Sequence, residues 1–522
     1  MLMNSADYRE SLRRYTPRVF VDGERVESVV DAPALQPGIN ALGLTYDYAL
    51  RDELAPIMRA VQASSGKTVN RMLHVDQSSA DLLNKLEAVR VLCQETGCAQ
   101  RYLAHDAFSA LAESTTRIDA DKGTRLGERF TAWLHDFQDK DLSVGIAMTD
   151  AKGDRSKRPH EQANVDSYVH IVERNGKGIV ISGTKAIVTG APYVHELLVM
   201  PCRNMGEADA AFAVCCAVPC DADGVTIIAR PAGRPGEKAA LFSSKYGQST
   251  GVVVFDRVFV AWERVFLAGE WEHSAHLTYR YATHHRHTCI AARAGFGDLL
   301  IGAGALMCEA NGFDPGEETH LREQMVQLIT IVEGFYACGV AASVYASVDP
   351  ASKTVTPDPV FANIGKLLLA NQIYEMHRIA HYVSGGLIVT LPGPDEDHNP
   401  ETAAQLADVL RANPAVPYDR RIEAARLIED LTASYQGGWY SVISLHGGGS
   451  PEAMKQEIWR QYPVGNKVEL VERLLERNVL VDPGRKIAAV RQPGKCCDAG
   501  CTPPSPIAMV ALPERRPGDT TT

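Results

Sequence analysis

The sequence predicts an α+β fold in three parts, a helical domain, a small β-barrel and a second helical bundle. Three observations carry this. Apolar residues recur at helical spacing through Leu82, Leu83, Leu86, Val89 and Leu92, continued by Leu103, Phe108 and Leu111. Short β-rich runs follow, among them Tyr168–Val172 and Gly178–Ile181 around Asn175-Gly176, a turn whose two residues both tolerate positive φ. Long amphipathic patterns then return to the end of the ordered chain.

In chain order, residues 1–140 read as mainly helical, with a further helix over Thr45 to Arg59. Residues 141–270 form the β-barrel, with added strands over Ala211–Pro219, Val225–Ala229 and Gly251–Val260. Residues 271–485 form a four-helix bundle from Leu321–Val348, Phe361–Val383, Arg420–Tyr435 and Pro451–Asn478. Residues 486–522, rich in Pro and Thr, read as a disordered tail.

At 522 residues the chain exceeds one compact core and should divide into two to four domains. Its net charge of −11 argues against a nucleic-acid or anionic-membrane partner. No apolar run approaches the roughly 20 residues that span a bilayer, and no secretory leader is visible, so a cytoplasmic location is expected. The twelve cysteines are not a disulfide framework. Neither Cys93 with Cys98 nor Cys496-Cys497 with Cys501 has zinc-ligand spacing, and no metal site is expected.

Two loops stand out. Ala147-Met148-Thr149-Asp150 runs through Gly153-Asp154-Arg155-Ser156, and Gly183-Thr184-Lys185 leads to Thr189-Gly190-Ala191. On composition each reads as a turn or as an open loop whose hydroxyls and N–H groups face a polar cofactor. A third stretch, His446-Gly447-Gly448-Gly449-Ser450, opens a helix and is a candidate anion cradle.

With these residues in place, the chain resembles the acyl-CoA dehydrogenase-like flavoproteins. More closely it resembles the 4-hydroxyphenylacetate 3-hydroxylase family, and within that family the 4-hydroxybutyryl-CoA dehydratase branch. The matching stretches are Thr116–Thr124, Ala147–Pro201, Val254–Glu270, Gly297–Gly304, Gly385–Pro392 and Ser444–Pro451. The resemblance implies a noncovalent FAD between the barrel and the helical domains, in a homotetramer or dimer. The residues it assigns to the cofactor are Ala147, Met148, Thr149, Asp154, Arg155, Ser156, Thr184, Lys185, Thr189, His446, Gly447, Gly448, Gly449 and Ser450. The hydroxyls of Thr149 and Thr189 suit the edge of an isoalloxazine, and Arg155 suits a pyrophosphate.

The chain departs from both branches in its chemistry. The dehydratase branch holds an iron–sulfur cluster on three cysteines and a histidine; Cys98 and His285 stand at two of those positions, but Tyr102 and Ala292 stand at the others. Alanine cannot ligate iron, so no cluster is expected. The branch's two catalytic glutamates correspond to Glu263 and Ile443, and its lysine to Arg293, which has no accessible neutral form. The hydroxylases' catalytic histidine corresponds to Ile146, and their phenol-gripping residues fall near Leu103 and Ala107.

The candidate catalytic residues are His285, in an imidazole-rich stretch from His284 to His287, together with Tyr102, Glu263 and Arg293. No G-x-G-x-x-G opens a helix after a strand, so a nicotinamide site is not expected. The leading expectation is a monooxygenase that receives reduced FAD from a separate reductase and hydroxylates a phenol-like molecule. A redox-neutral dehydratase or isomerase on an acyl-CoA, and a non-catalytic flavin binder, are the alternatives.

Overall fold

The computed structural model describes residues 2–475. The tail expected to be disordered, with its three cysteines, lies outside them.

The β region is built from two sheets rather than one closed barrel. One has six strands in the order Glu24–Val26, Val19–Val21, Val225–Ala229, Thr250–Ala261, Gly178–Thr189 and His170–Asn175. The other has four, in the order Val265–Ala268, Val214–Pro219, Glu196–Val199 and Val144–Ala147. Alternate residues of both sheets meet in one apolar core, including Ile179, Ile181, Val253 and Phe255 from the first and Leu197, Val199 and Val218 from the second. Facing sheets satisfy the same period-2 pattern that suggested a barrel, because the pattern fixes a buried face and not closure.

Four strands come from residues 1–140, which were expected to be mainly helical: a separate pair, Arg59–Gln62 with Lys67–Asn70, and two in the six-stranded sheet. The hairpin Val19–Val26 turns at Asp22 and Gly23, both at positive φ, and Val19–Val21 pairs in parallel with Val225–Ala229. The Asp-Gly turn was readable in the sequence as a hairpin signal.

The helical half is organised on Ser274–Ala310, a 37-residue helix absent from the four expected. It is buried on nearly every side, so it has no amphipathic stripe to detect. Thr319–Val344 and Pro359–Val383 pack on it together with Ser79–Thr96 from the N-terminal region. Their side chains form one core that includes Leu86, Ile290, Val332 and Leu369. The expected helix from Pro451 to Asn478 breaks at Tyr462-Pro463 into Pro451–Gln461 and Val464–Leu475, as proline requires.

Trp271–Ala310 and Thr319–Val344 are long and apolar enough to cross a membrane by length and composition. In the first, 61% of the most apolar window is buried within the protein, and in the second 39%.

Candidate active site and flavin frame

One turn of the long helix divides three imidazoles among three environments. His284 Nδ1 lies 3.5 Å from Asp76 Oδ2. His287 Nε2 is 2.8 Å from Ser343 Oγ. His285 points elsewhere: its ring stacks between Tyr102 and Tyr281, at 6.4 and 5.4 Å between centroids. Its Nδ1 lies 3.2 Å from Asp106 Oδ2, and its Nε2 lies 3.5 Å from Cys289 Sγ. Cys289 sits four residues on, where the helical repeat puts it on the same face.

The electrostatics separate the three rings. Burial holds His284 and His287 below the ordinary imidazole value, and therefore neutral. Burial opposes charge on His285 as well, but the Cys289 sulfur and the Asp106 carboxylate outweigh it and raise the ring to about 10. Burial likewise pushes the Cys289 thiol up, yet His285 and Lys366 bring it net below the usual thiol range. Lys366 is itself buried, which lowers it to about 8, and its Nζ donates to the Ser444 carbonyl at 2.6 Å.

Tyr102 and Arg293 complete this group. The Tyr102 hydroxyl lies 3.6 Å from Cys98 Sγ, and Arg293 donates to the Gly97 carbonyl at 3.2 Å while lying over the rings of Phe296 and Tyr440. The structure thus brings together His285, Tyr102 and Arg293. Glu263 requires a correction: it is exposed on the short turn Trp262–Arg264, which packs against Leu126–Asp139. Its neighbour Arg264 pairs with Glu196 at 2.9 Å.

Beneath this group lies a second, closed one. Lys85 Nζ is 2.9 Å from Asp76 Oδ2 and 3.7 Å from Asp106 Oδ1, and His105 Nε2 is 2.7 Å from Asp76 Oδ1. Thr288 donates to Asp106 Oδ1 at 2.6 Å. Asp106 is therefore shared between the two groups. Sequence reasoning missed Asp106, Lys366 and Cys289; only the i, i+4 relation of Cys289 to His285 was available as a signal.

The glycine stretch reaches the same helix. Arg286 Nε donates to the Gly448 carbonyl at 2.8 Å and its Nη1 to Asn363 Oδ1 at 2.7 Å. Gly448 is left-handed at φ +76°, and a Cβ there would lie 3.4 Å from His285 Cδ2. Ser450 spends its hydroxyl on the N-cap of Pro451–Gln461, where it accepts from Ala453 N at 3.3 Å. His446, Gly449 and Ser450 are exposed, while Gly447 and Gly448 are half-buried.

In the β region the expected cofactor residues sort by environment. Ala147 is corrected: it is fully buried in the core between the sheets. Lys185 is corrected too, since its Nζ is held by the carbonyls of Met148 and Met200, at 2.9 and 2.8 Å, and by Asp150 at 2.7 Å. It locks the loop rather than facing a ligand. Asp154 caps its own turn by accepting from Ser156 N and Oγ, at 3.0 and 2.7 Å. Thr149, Thr184 and Thr189 are half-buried, Arg155 is exposed, and Met148 packs on the cluster that contains Tyr281. The long helix thus links the first loop to the glycine stretch.

The residues beside the second loop suit a flat heteroaromatic group. Gln100 is buried with both amide atoms unpaired, and it lies so close to Gly190 that a Cβ there would fall 1.9 Å from its Nε2. An unpaired buried amide lacks a donor and an acceptor, the complement of a flavin edge. Ile187, between Thr184 and Thr189, is 58% exposed and held at φ +58°, a strained conformation for a β-branched residue.

Helices, paired sheets and a bundle with loops converging on one central helix define an acyl-CoA dehydrogenase-like architecture. The protein belongs to the 4-hydroxyphenylacetate 3-hydroxylase family, whose N-terminal description matches residues 4–267 and C-terminal description residues 274–476. It is 35% identical to 4-hydroxybutyryl-CoA dehydratase/vinylacetyl-CoA-Δ-isomerase of Clostridium aminobutyricum, over 91% of this chain and 99% of that one. It is 23% identical to the oxygenase component of 4-hydroxyphenylacetate 3-monooxygenase of Thermus thermophilus, over 91% and 97%. An oxygen-tolerant 4-hydroxybutyryl-CoA dehydratase from N. maritimus superposes with a TM-score of 0.87 at 35% identity, covering 91% of this chain and 95% of that one. An oxygenase component complexed with FAD and 4-hydroxyphenylacetate superposes at 0.81 and 22% identity, covering 91% and 98%, and shows the shared fold.

Proposed function

We propose that this chain is an FAD-dependent monooxygenase that takes reduced FAD from a separate reductase and hydroxylates a phenol-like or other electron-rich small molecule. One observation carries the reading. Of the four positions where the dehydratase branch holds its cluster, Ala292 offers no ligand, Tyr102 is engaged with Cys98, and His285 lies between Asp106 and Cys289. Flavin is then the redox group of the site, and reduced FAD supplies the electrons that activate oxygen.

The chain's own residues do the rest. The unpaired Gln100 amide and the half-buried hydroxyls of Thr149 and Thr189 hold the ring edge. Arg155 pairs with the pyrophosphate, and the Gly447–Gly449 stretch allows close backbone approach to the cofactor. His285, oriented by Asp106, holds a proton at Nε2 that it can exchange with a substrate oxygen. The stacked faces of Tyr102 and Tyr281 favour a flat substrate.

The test is turnover of a phenol panel by FAD-loaded protein with reduced FAD. The expected result is a hydroxylated product formed with one oxygen molecule consumed per turnover. Conversion of an acyl-CoA substrate under nitrogen without reductant would establish the second reading, a redox-neutral dehydratase or isomerase. That reading is favoured by the 35% identity to the dehydratase and by the proton-bearing groups around His285. Flavin bound without any substrate-dependent spectral change would point to a non-catalytic binder.

The working unit we propose is a homo-oligomer, a dimer or tetramer, in the cytoplasm. Val326, Ile329, Ala337 and Val344 form an exposed apolar stripe at helical spacing on Thr319–Val344, a surface suited to a second copy.

A further inference from the structure

We propose that Cys289, His285 and Asp106 form a nucleophilic triad that adds covalently to small α,β-unsaturated carbonyl compounds entering the site. The arrangement has the three roles such a triad needs. The sulfur lies 3.5 Å from His285 Nε2, and the opposite ring nitrogen lies 3.2 Å from the Asp106 carboxylate. Asp106 is itself fixed by Thr288 at 2.6 Å, so the ring has one orientation. This is the order of nucleophile, base and orienting carboxylate.

The neighbours distinguish this thiol from the others. Cys289 is half-buried, whereas Cys93, on the helix Ser79–Thr96, and Cys98, in the loop that follows it, are buried. The groups that face it are His285, Arg286, Arg293 and Tyr281 on its own helix, Tyr102, Cys93, Cys98 and Asp106 from the N-terminal region, and Lys366 from Pro359–Val383. Their balance favours the thiolate, because three cations and an imidazolium outweigh one carboxylate. Burial raises the other half-buried thiols, Cys202 to about 11 and Cys338 also upward, while Cys289 falls below the usual range.

A soft thiolate with one adjacent proton donor suits conjugate addition. The proton of the pair lies on His285 Nε2, and the Cys289 thiolate forms a bond to the β-carbon of the acceptor. The C=C electron pair moves to the α-carbon and the carbonyl as an enolate, and His285 gives its Nε2 proton to the α-carbon, leaving a neutral imidazole and a thioether. Atoms and electrons balance without an oxidant or reductant. The step needs neither oxygen nor reduced flavin, so its outcome is independent of the monooxygenase reading.

The test treats FAD-loaded protein with N-ethylmaleimide, itself an α,β-unsaturated carbonyl compound, between pH 6 and 9. Mass spectrometry follows modification at each cysteine, with half-buried Cys202 and Cys338 as internal references. Cys289 should react about tenfold or more faster than either at pH 7. Its rate should fall less between pH 8 and pH 6 than the rates of the references, which slow in proportion to thiolate. His285→Gln should remove the advantage and leave the references unchanged, and Asp106→Asn should remove part of it. Equal or slower reaction at Cys289 in the wild-type protein overturns the proposal, whether or not the variants fold. An undiminished advantage in a folded His285→Gln variant also overturns it.

Discussion

The two sides of Asp106 contrast a closed group with an open one. On one side Asp76, Lys85, His105 and His284 lie wholly buried, and the carboxylate and ammonium answer each other. On the other, His285 and Cys289 are half-buried beside the stacked rings of Tyr102 and Tyr281. Both groups use the same helical turn and share one carboxylate. The difference teaches that charge inside this fold does two jobs: satisfied, it fixes the N-terminal helices to the long helix; unsatisfied, it is available for chemistry.

The contrast breaks most readily on the closed side. Lys85→Met takes the ammonium from buried Asp76 and should cost about 3–5 kcal/mol in urea unfolding. The same group sets the acid limit. Burial opposes charge on Asp76, but His105 and Lys85 outweigh it and hold it well below the usual carboxylate value. Its contribution is therefore fully present above a pH of about 3.9 and is lost as pH falls through the lower folded value. Acid titration of the wild-type protein, followed by near-ultraviolet circular dichroism, should show cooperative loss of packing only below that point.

On the open side the effect should appear in rate and not in stability. His285→Gln should lower kcat/KM by about 100-fold while shifting the unfolding free energy by about 1 kcal/mol or less. A stability loss as large as that of Lys85→Met would show that the two sides are one structural unit.

Smaller effects sharpen the boundary of the site. Gly448→Ala places a Cβ against His285 in a left-handed conformation and should cost about 1 kcal/mol, with weaker FAD binding by fluorescence titration. Arg155→Ala, at an exposed position, should raise the FAD dissociation constant a few-fold and move stability by about 0.5 kcal/mol at most.

Much of the frame was legible because it is local. The flavin-type loops are runs of small and hydroxylic residues, and strand or helix periodicity is written into consecutive positions. The long helix escaped because burial on all sides erases its stripe, and the hairpin at Val19–Val26 escaped because its Asp-Gly turn was passed over. Lys185 and Ala147 read as cofactor residues, but the Lys185 ammonium holds the Met148 and Met200 carbonyls and Ala147 lies in the core between the sheets. Direction within a loop depends on which oxygens and strands the fold brings near.

By itself the sequence determined the order of helical, β and helical regions, the family, and the positions at which the dehydratase's cluster ligands are missing. Only the tertiary structure decided that three imidazoles in one turn have three different partners. It also selected Cys289, beside His285 and Lys366, from the nine cysteines among the described residues. The reason is physical. Periodicity and motif are short-range properties of the chain, whereas the proton affinity of a buried group is set by charges that arrive from residues about two hundred positions away.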